Sequence, residues 1–200
     1  MARERGLSVN AEVVKGALVK PLTRGRNITS IDWIFQDNLI IDPAASDTAI
    51  LIAAHAGGLA PTLTTAIDAR LIANHQRADG HWATLDSRPP EGVSLFSTTA
   101  LAVRAMQYYM PVELRQETAA RTERARAWLL QAKPADTEDF TFRVFGLVWS
   151  GATKAQLAPA VAGLRQLQRP DGGGAQIPGR DADAYSTGEA LAPSMKLVLV

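Results

Sequence analysis

From residue 48 onward, apolar positions recur at helical spacing, and two textures of helix alternate along the chain. The first texture is striped. In residues 61–76, Leu63, Ile67, Leu71 and Ile72 recur at steps of one, four or five, and in residues 154–168 Leu157, Val161, Leu164 and Leu167 do much the same. Residues 122–133 are charged on one side and apolar around Ala127, Trp128 and Leu130. Such stripes predict helices with one solvated face. Pro61 and Pro159 stand near the starts of their segments, where a missing N–H is tolerated. The second texture, in residues 48–56, 97–109 and 141–149, is apolar nearly all round, as expected of helices covered on both sides. The alternation predicts an all-α fold of two layers, buried helices inside and amphipathic ones outside. Charges alternate over residues 115–126, which read as a solvated helix face. Residues 38–41 (NLII) are the one strand-like run. The helical pattern thus covers residues 46–200, and residues 1–45 form a segment assigned to no element.

The chain also repeats itself. QRADGHW, Gln76 to Trp82, returns as QRPDGGGAQ from Gln168, and two further pairs of segments match in the same order. DTAILIAAHAGG, ending at Gly58, matches FTFRVFGLVWSG, ending at Gly151, and LFSTTALAVRAM, ending at Met106, matches AYSTGEALAPSM, ending at Met195. The offsets are 93, 92 and 89 residues, about two helix-pair units long. One period therefore holds two helical hairpins. In the intervening one, Ala127 to Leu130 takes the place of Arg70 to Ala73, and Pro134 ends the helix. At the corner itself, Asp-Gly permits positive φ where the chain reverses, and the preceding glutamine is suited to exposed carbonyls at the helix end. Trp82 is expected to pack on the next helix and donate its N–H. Its counterpart in the second copy is Gly174.

Composition narrows the chemistry. A formal net charge of +1 offers no basic field for nucleic acid. The absence of cysteine removes disulfides, thiolate nucleophiles and thiolate-held zinc. His55, His75 and His81 lie on separate segments, so no metal or other cofactor is expected. No window approaches the roughly 18 apolar residues of a membrane span, and residues 1–16 lack the apolar core of a secretory signal, which makes the cytoplasm the expected location.

A helix ending in glutamine, then glycine, one residue and tryptophan resembles the QW repeat of squalene-hopene cyclases and related terpene cyclases, within the wider prenyltransferase repeat superfamily. QRADGHW fits the motif fully and QRPDGGGAQ in part. The likeness runs from about Asp47 to Leu191. It implies an α/α toroid in which inner helices are ringed by outer ones around a cavity. A closed ring of that kind takes about twelve helices against about eight here, so the expected form is a partial ring, a fragment, or an arc completed by an oligomeric partner. The zinc branch of the superfamily needs a cysteine ligand, which this chain lacks.

The resemblance further implies a catalytic acid. These cyclases protonate an alkene with the middle aspartate of an Asp-x-Asp-Asp cluster before an inner helix. Asp181-Ala182-Asp183-Ala184 keeps the first and third positions, placing Asp183 at the acid with Asp181 beside it, while Ala184 departs from the pattern. The alternative for both is helix capping, since Ser94 stands where Asp183 does in the earlier copy. Trp82, Phe96, Tyr185 and His81 are the candidate ligand-binding residues, for an isoprenoid or other apolar molecule; core packing is their alternative. Arg88 to Gly92 forms a proline-stiffened rim loop. The expected activity is isoprenoid cyclisation weakened by an incomplete acid motif, with a non-catalytic scaffold for an apolar ligand or protein partner as the rival.

Overall fold

A computed structural model describes residues 8–22, 43–84 and 93–197. The strand-like run at 38–41 and the rim loop at 88–92 lie outside these. Among these described residues there are eight helices: α1 (Ala11–Leu22), α2 (Thr48–Ala56, entered through a π-helical turn at Pro43–Asp47), α3 (Leu63–Asn74), α4 (Leu95–Tyr109), α5 (Arg115–Gln131, after a 3-10 turn at Val112–Leu114), α6 (Thr137–Trp149), α7 (Lys154–Gln166) and α8 (Ala184–Leu197). Isolated bridges pair Gln76 with Trp82 and Gly174 with Asp183 at the two corners.

The two predicted layers are present. Helices α2, α4, α6 and α8 form one row, each packed on the next, while α3 and α7 pack on their inner neighbours α4 and α6, and α5 bridges the two. The N-terminal α1 rests on α2. Two core clusters fill the array: one joins Leu51, Ile72, Trp82, Val103, Met106 and Ala125, the other Phe96, Leu129, Val144, Leu147, Ala160 and Leu164. Burial of α4 on several sides matches its all-round apolar texture.

Individual stripes differ from expectation. In α3, Leu63 is 76% exposed and the buried line runs through Thr65, Ala69, Ile72 and Ala73. The helix begins one residue past Thr62, whose side chain forms a reciprocal cap with Thr65, so Pro61 precedes the cap. In α5 the buried residues are Ala125 and Leu129, whereas Ala127 is exposed. The charged run on α5 is also partly engaged: Glu117 pairs with Arg70 of α3 and with Arg121, whose guanidinium donates to the Ala73 carbonyl at 2.6 Å. Hydrogen bonding from Arg70 and then Arg121 holds the Glu117 carboxyl below the ordinary glutamate value. Long arginines here link the outer helices α3 and α5.

The repeat is visible in hydrogen bonds. Helices α2 and α6 end alike: Leu59 N–H donates to Ala54 and Gly58 N–H to His55, while Ala152 donates to Leu147 and Gly151 to Val148. Both glycines hold positive φ, 82° and 76°, in the Schellman arrangement that satisfies terminal carbonyls. The corners also coincide. Arg77 N–H donates to the His81 carbonyl and Arg169 N–H to that of Gly173. Gln76 Nε2 donates to the Gly80 carbonyl at 2.9 Å and Gln168 Nε2 to that of Gly172 at 3.0 Å.

What differs is the docking. In the first copy Gln76 Nε2 also donates to the Arg121 carbonyl at 2.8 Å, and Arg124 donates to Gln76 Oε1. There the backbone of Gly80 presses on α5, where an added Cβ would lie 2.3 Å from the Arg124 carbonyl oxygen; at Gly172 a Cβ would meet nothing within 4 Å. Gly80→Ala thus combines a steric clash with positive-φ strain, and Gly172→Ala carries the strain alone, about 1 kcal/mol. Chemical denaturation of the two variants is expected to show Gly80→Ala the more destabilised by at least about 2 kcal/mol.

Candidate functional site

The residues singled out by sequence are distributed as follows. Asp183 precedes α8 and accepts from the Ser186 N–H (2.8 Å) and the Ser186 hydroxyl (3.0 Å), an N-cap arrangement. Asp181 is exposed two residues earlier. Trp82 is fully buried between α3 and α4, with its indole N–H donating to the Ile72 carbonyl at 2.6 Å. Phe96 and His81 are brought together by Trp128, at ring separations of 4.9 and 5.2 Å, and His81 also contacts Asp79. Tyr185, in the first turn of α8, is 54% exposed.

A second group, assembled at the start and along one face of α6, comes from Asp136-Thr137-Glu138-Asp139. Asp136 caps α6 through the Asp139 N–H, and Asp139 Oδ2 accepts from the Ala135 N–H. Thr137 fixes this end to the second corner by donating its N–H to the Gln176 carbonyl and its hydroxyl to that of Ala175. Glu138 is only 4% exposed, and its carboxyl faces the Ser97 hydroxyl and the Ser94 backbone at the start of α4. Burial is the main force on it. Together with the negative charges of Asp136 and Asp139, it outweighs the Ser97 bond and pushes the carboxyl up to about 7. Burial also raises Asp136.

Glu138, Phe142, Phe145 and Trp149 follow one another at steps of four, three and four, so they lie on one face of α6. That face is opposite Phe140, Val144 and Leu147, which lie toward α7. Phe145 stacks on Trp149 at 5.1 Å and sits 5.8 Å from Phe142. The aromatic surface continues onto α4 and α2: the Arg104 guanidinium lies 4.5 Å over Tyr108 and 5.7 Å from Trp149, and Tyr108 stacks on His55 at 3.4 Å. A buried acid thus heads an aromatic stripe about 16 Å long, at 1.5 Å per residue. Taking Thr141 as the start of this helix hid the cluster, since the helix begins four residues earlier, at Thr137. The spacing of acid, any residue, acid, acid was the available signal.

Among the described residues no group of three or more histidines, aspartates or glutamates is placed to hold a metal ion, and no helix is long and apolar enough to cross a membrane. No protein-family model, curated protein or solved structure matches the chain.

The raised carboxyl at Glu138 has a thermodynamic sign. Between about pH 4.5 and 7 the folded state binds a proton that the unfolded state has released, so stability falls as pH rises through this window. The expected loss is roughly 3 kcal/mol for Glu138, with Asp136 contributing in the same direction. Urea denaturation at several pH values should show this slope in the native protein and a much flatter one in Glu138→Gln.

Proposed function

We propose that this chain is a cyclase-like α/α repeat protein that lays an isoprenoid or similarly apolar alkene along the inner face of α6 and protonates it from Glu138. The observation that carries the reading is the shared face of Glu138, Phe142, Phe145 and Trp149. The cluster Asp136-Thr137-Glu138-Asp139 keeps three carboxyls in the Asp-x-Asp-Asp spacing, with glutamate in the proton donor's place, and this supports the reading more fully than Asp181 and Asp183 do. In the proposed step the carboxyl O–H bond breaks, its proton forms a C–H bond at one alkene carbon, and the other carbon becomes cationic. Glu138 is left as a carboxylate accepting from Ser97, and the cation is stabilised by aromatic faces until ring closure and proton loss discharge it. A toroidal enclosure, completed by a second copy or by further helices, belongs to the same proposal.

A second reading is binding without turnover. It is favoured by Arg104, whose guanidinium already lies against Tyr108 and Trp149. Incubation with squalene and with polyprenyl diphosphates, followed by mass analysis of products, separates the two. The proposed activity requires a cyclised product from the native protein, at least about 100-fold less from Glu138→Gln, and a nearly unchanged yield from Asp183→Asn, which retains a capping side chain. Substrate recovered bound but unchanged supports the scaffold reading; equal product from Glu138→Gln removes Glu138 from the chemistry.

A further inference from the structure

Two outer helices end with a carbonyl reached from the side by a side-chain N–H. Trp82 Nε1 donates to Ile72 at the end of α3. Arg143 Nε and a terminal guanidinium nitrogen donate to Leu129 and Leu130 at the end of α5, each at 2.8 Å. The corresponding carbonyl of α7 is that of Leu164, 92 residues beyond Ile72. It accepts the Leu167 N–H at 3.2 Å, as Ile72 accepts that of His75 at 3.1 Å, but among the described residues no side-chain donor joins it.

At the end of α7 lies an open, mostly apolar hollow whose walls include Leu164, Leu167, Gly174, Thr187, Ala190 and Leu191. The corner hydrogen bonds fix what these residues correspond to in the first copy. Trp82 N–H donates to Thr99 Oγ1 at 3.0 Å, as Gly174 N–H does to Thr187 Oγ1 at 2.9 Å. In that register Leu164, Ala190 and Leu191 replace Ile72, Ala102 and Val103, and those three share a core cluster with Trp82. The hollow therefore occupies the place that the Trp82 ring fills one repeat earlier. With glycine at the corner, its apolar walls and its carbonyl acceptor stand without the ring.

The geometry points to a binding site at the second corner for a free planar heteroaromatic molecule of the indole class, seated between α7 and α8 with its ring N–H on the Leu164 carbonyl. Gly174 favours a free ligand over an attached side chain, because a Cβ there would lie 3.2 Å from the Ser186 carbonyl oxygen. The first copy supplies the chemical specification: an apolar bicyclic body with one N–H donor on its edge. The site borders Thr137 but not Glu138 itself, and its proposal does not depend on proton transfer.

Titration of the isotopically labelled full chain with indole, followed by amide NMR, tests the assignment. Saturable shifts are expected at Leu167, Gly173, Gly174, Thr187 and Ala190, with a dissociation constant of roughly a millimolar, appropriate to so small a ligand. N-methylindole and benzofuran lack the N–H and are expected to bind about 3- to 10-fold more weakly, the worth of one neutral hydrogen bond. Gly174→Trp and Ala190→Phe should each abolish the shifts by filling the hollow. If Gly174→Trp does not fold, because α8 must move to admit its Cβ, Ala190→Phe carries the test alone. Absence of saturable shifts with indole, equal affinity for N-methylindole, or undiminished binding to Ala190→Phe would each overturn the proposal.

Discussion

Every helix that stops inside a packed array leaves its last carbonyls without intrahelical donors, and water cannot reach those that face the core. This layered fold depends on supplying N–H groups to them from neighbouring elements. The indole of Trp82 does so for α3 while filling the space between α3 and α4. The guanidinium of Arg143 does so for α5, at a burial cost that lowers its own proton affinity. A single group thus bonds polar backbone and fills core space, so removing Trp82 would leave a void and the Ile72 carbonyl with the His75 N–H alone.

The same economy shapes the inner row. The beginnings of α4, α6 and α8 carry capping side chains at Ser94, Asp136 and Asp183. Carboxylates at such places normally answer exposed amide groups and the positive end of the helix dipole. Glu138 differs because two other carboxylates already stand at the start of α6, and burial beside them makes a third negative charge unfavourable. An ordinary structural arrangement thereby yields a proton held near neutrality. The aromatic residues below it share its face because helical periodicity aligns steps of three and four.

Much of the layered architecture was legible in the text of the chain. The Gln-to-Gly corners, the Gly58 and Gly151 helix ends, and the uniformly apolar texture of α4 and α6 each correspond to observed contacts, whereas α2, read the same way, leaves Ala49, Ala53, His55 and Ala56 exposed. These signals are local, set by backbone conformation and by periodicity within a few turns. The misread stripes have another origin. Leu63 counted as apolar but falls on the solvent side, whereas Thr65 and Asp68 are buried because neighbouring elements cover them. The candidate site was harder still, since capping aspartates and acidic catalytic clusters use the same letters. Only the environment of Glu138, brought by α4, distinguishes them.

The corners are the same and each docks on a threonine of the helix that follows, yet the caps of those helices fall one residue apart. Thr99 is the fifth residue after its cap and Thr187 only the fourth, although both receive the corner's N–H. The corner consequently behaves as a fixed bearing: the connection to the next helix lengthens or shortens by moving the cap, while the bearing's own bonds and the threonine set upon them persist. Duplicated units built this way can diversify the wall they present through small insertions and deletions, without having to solve the folding problem again.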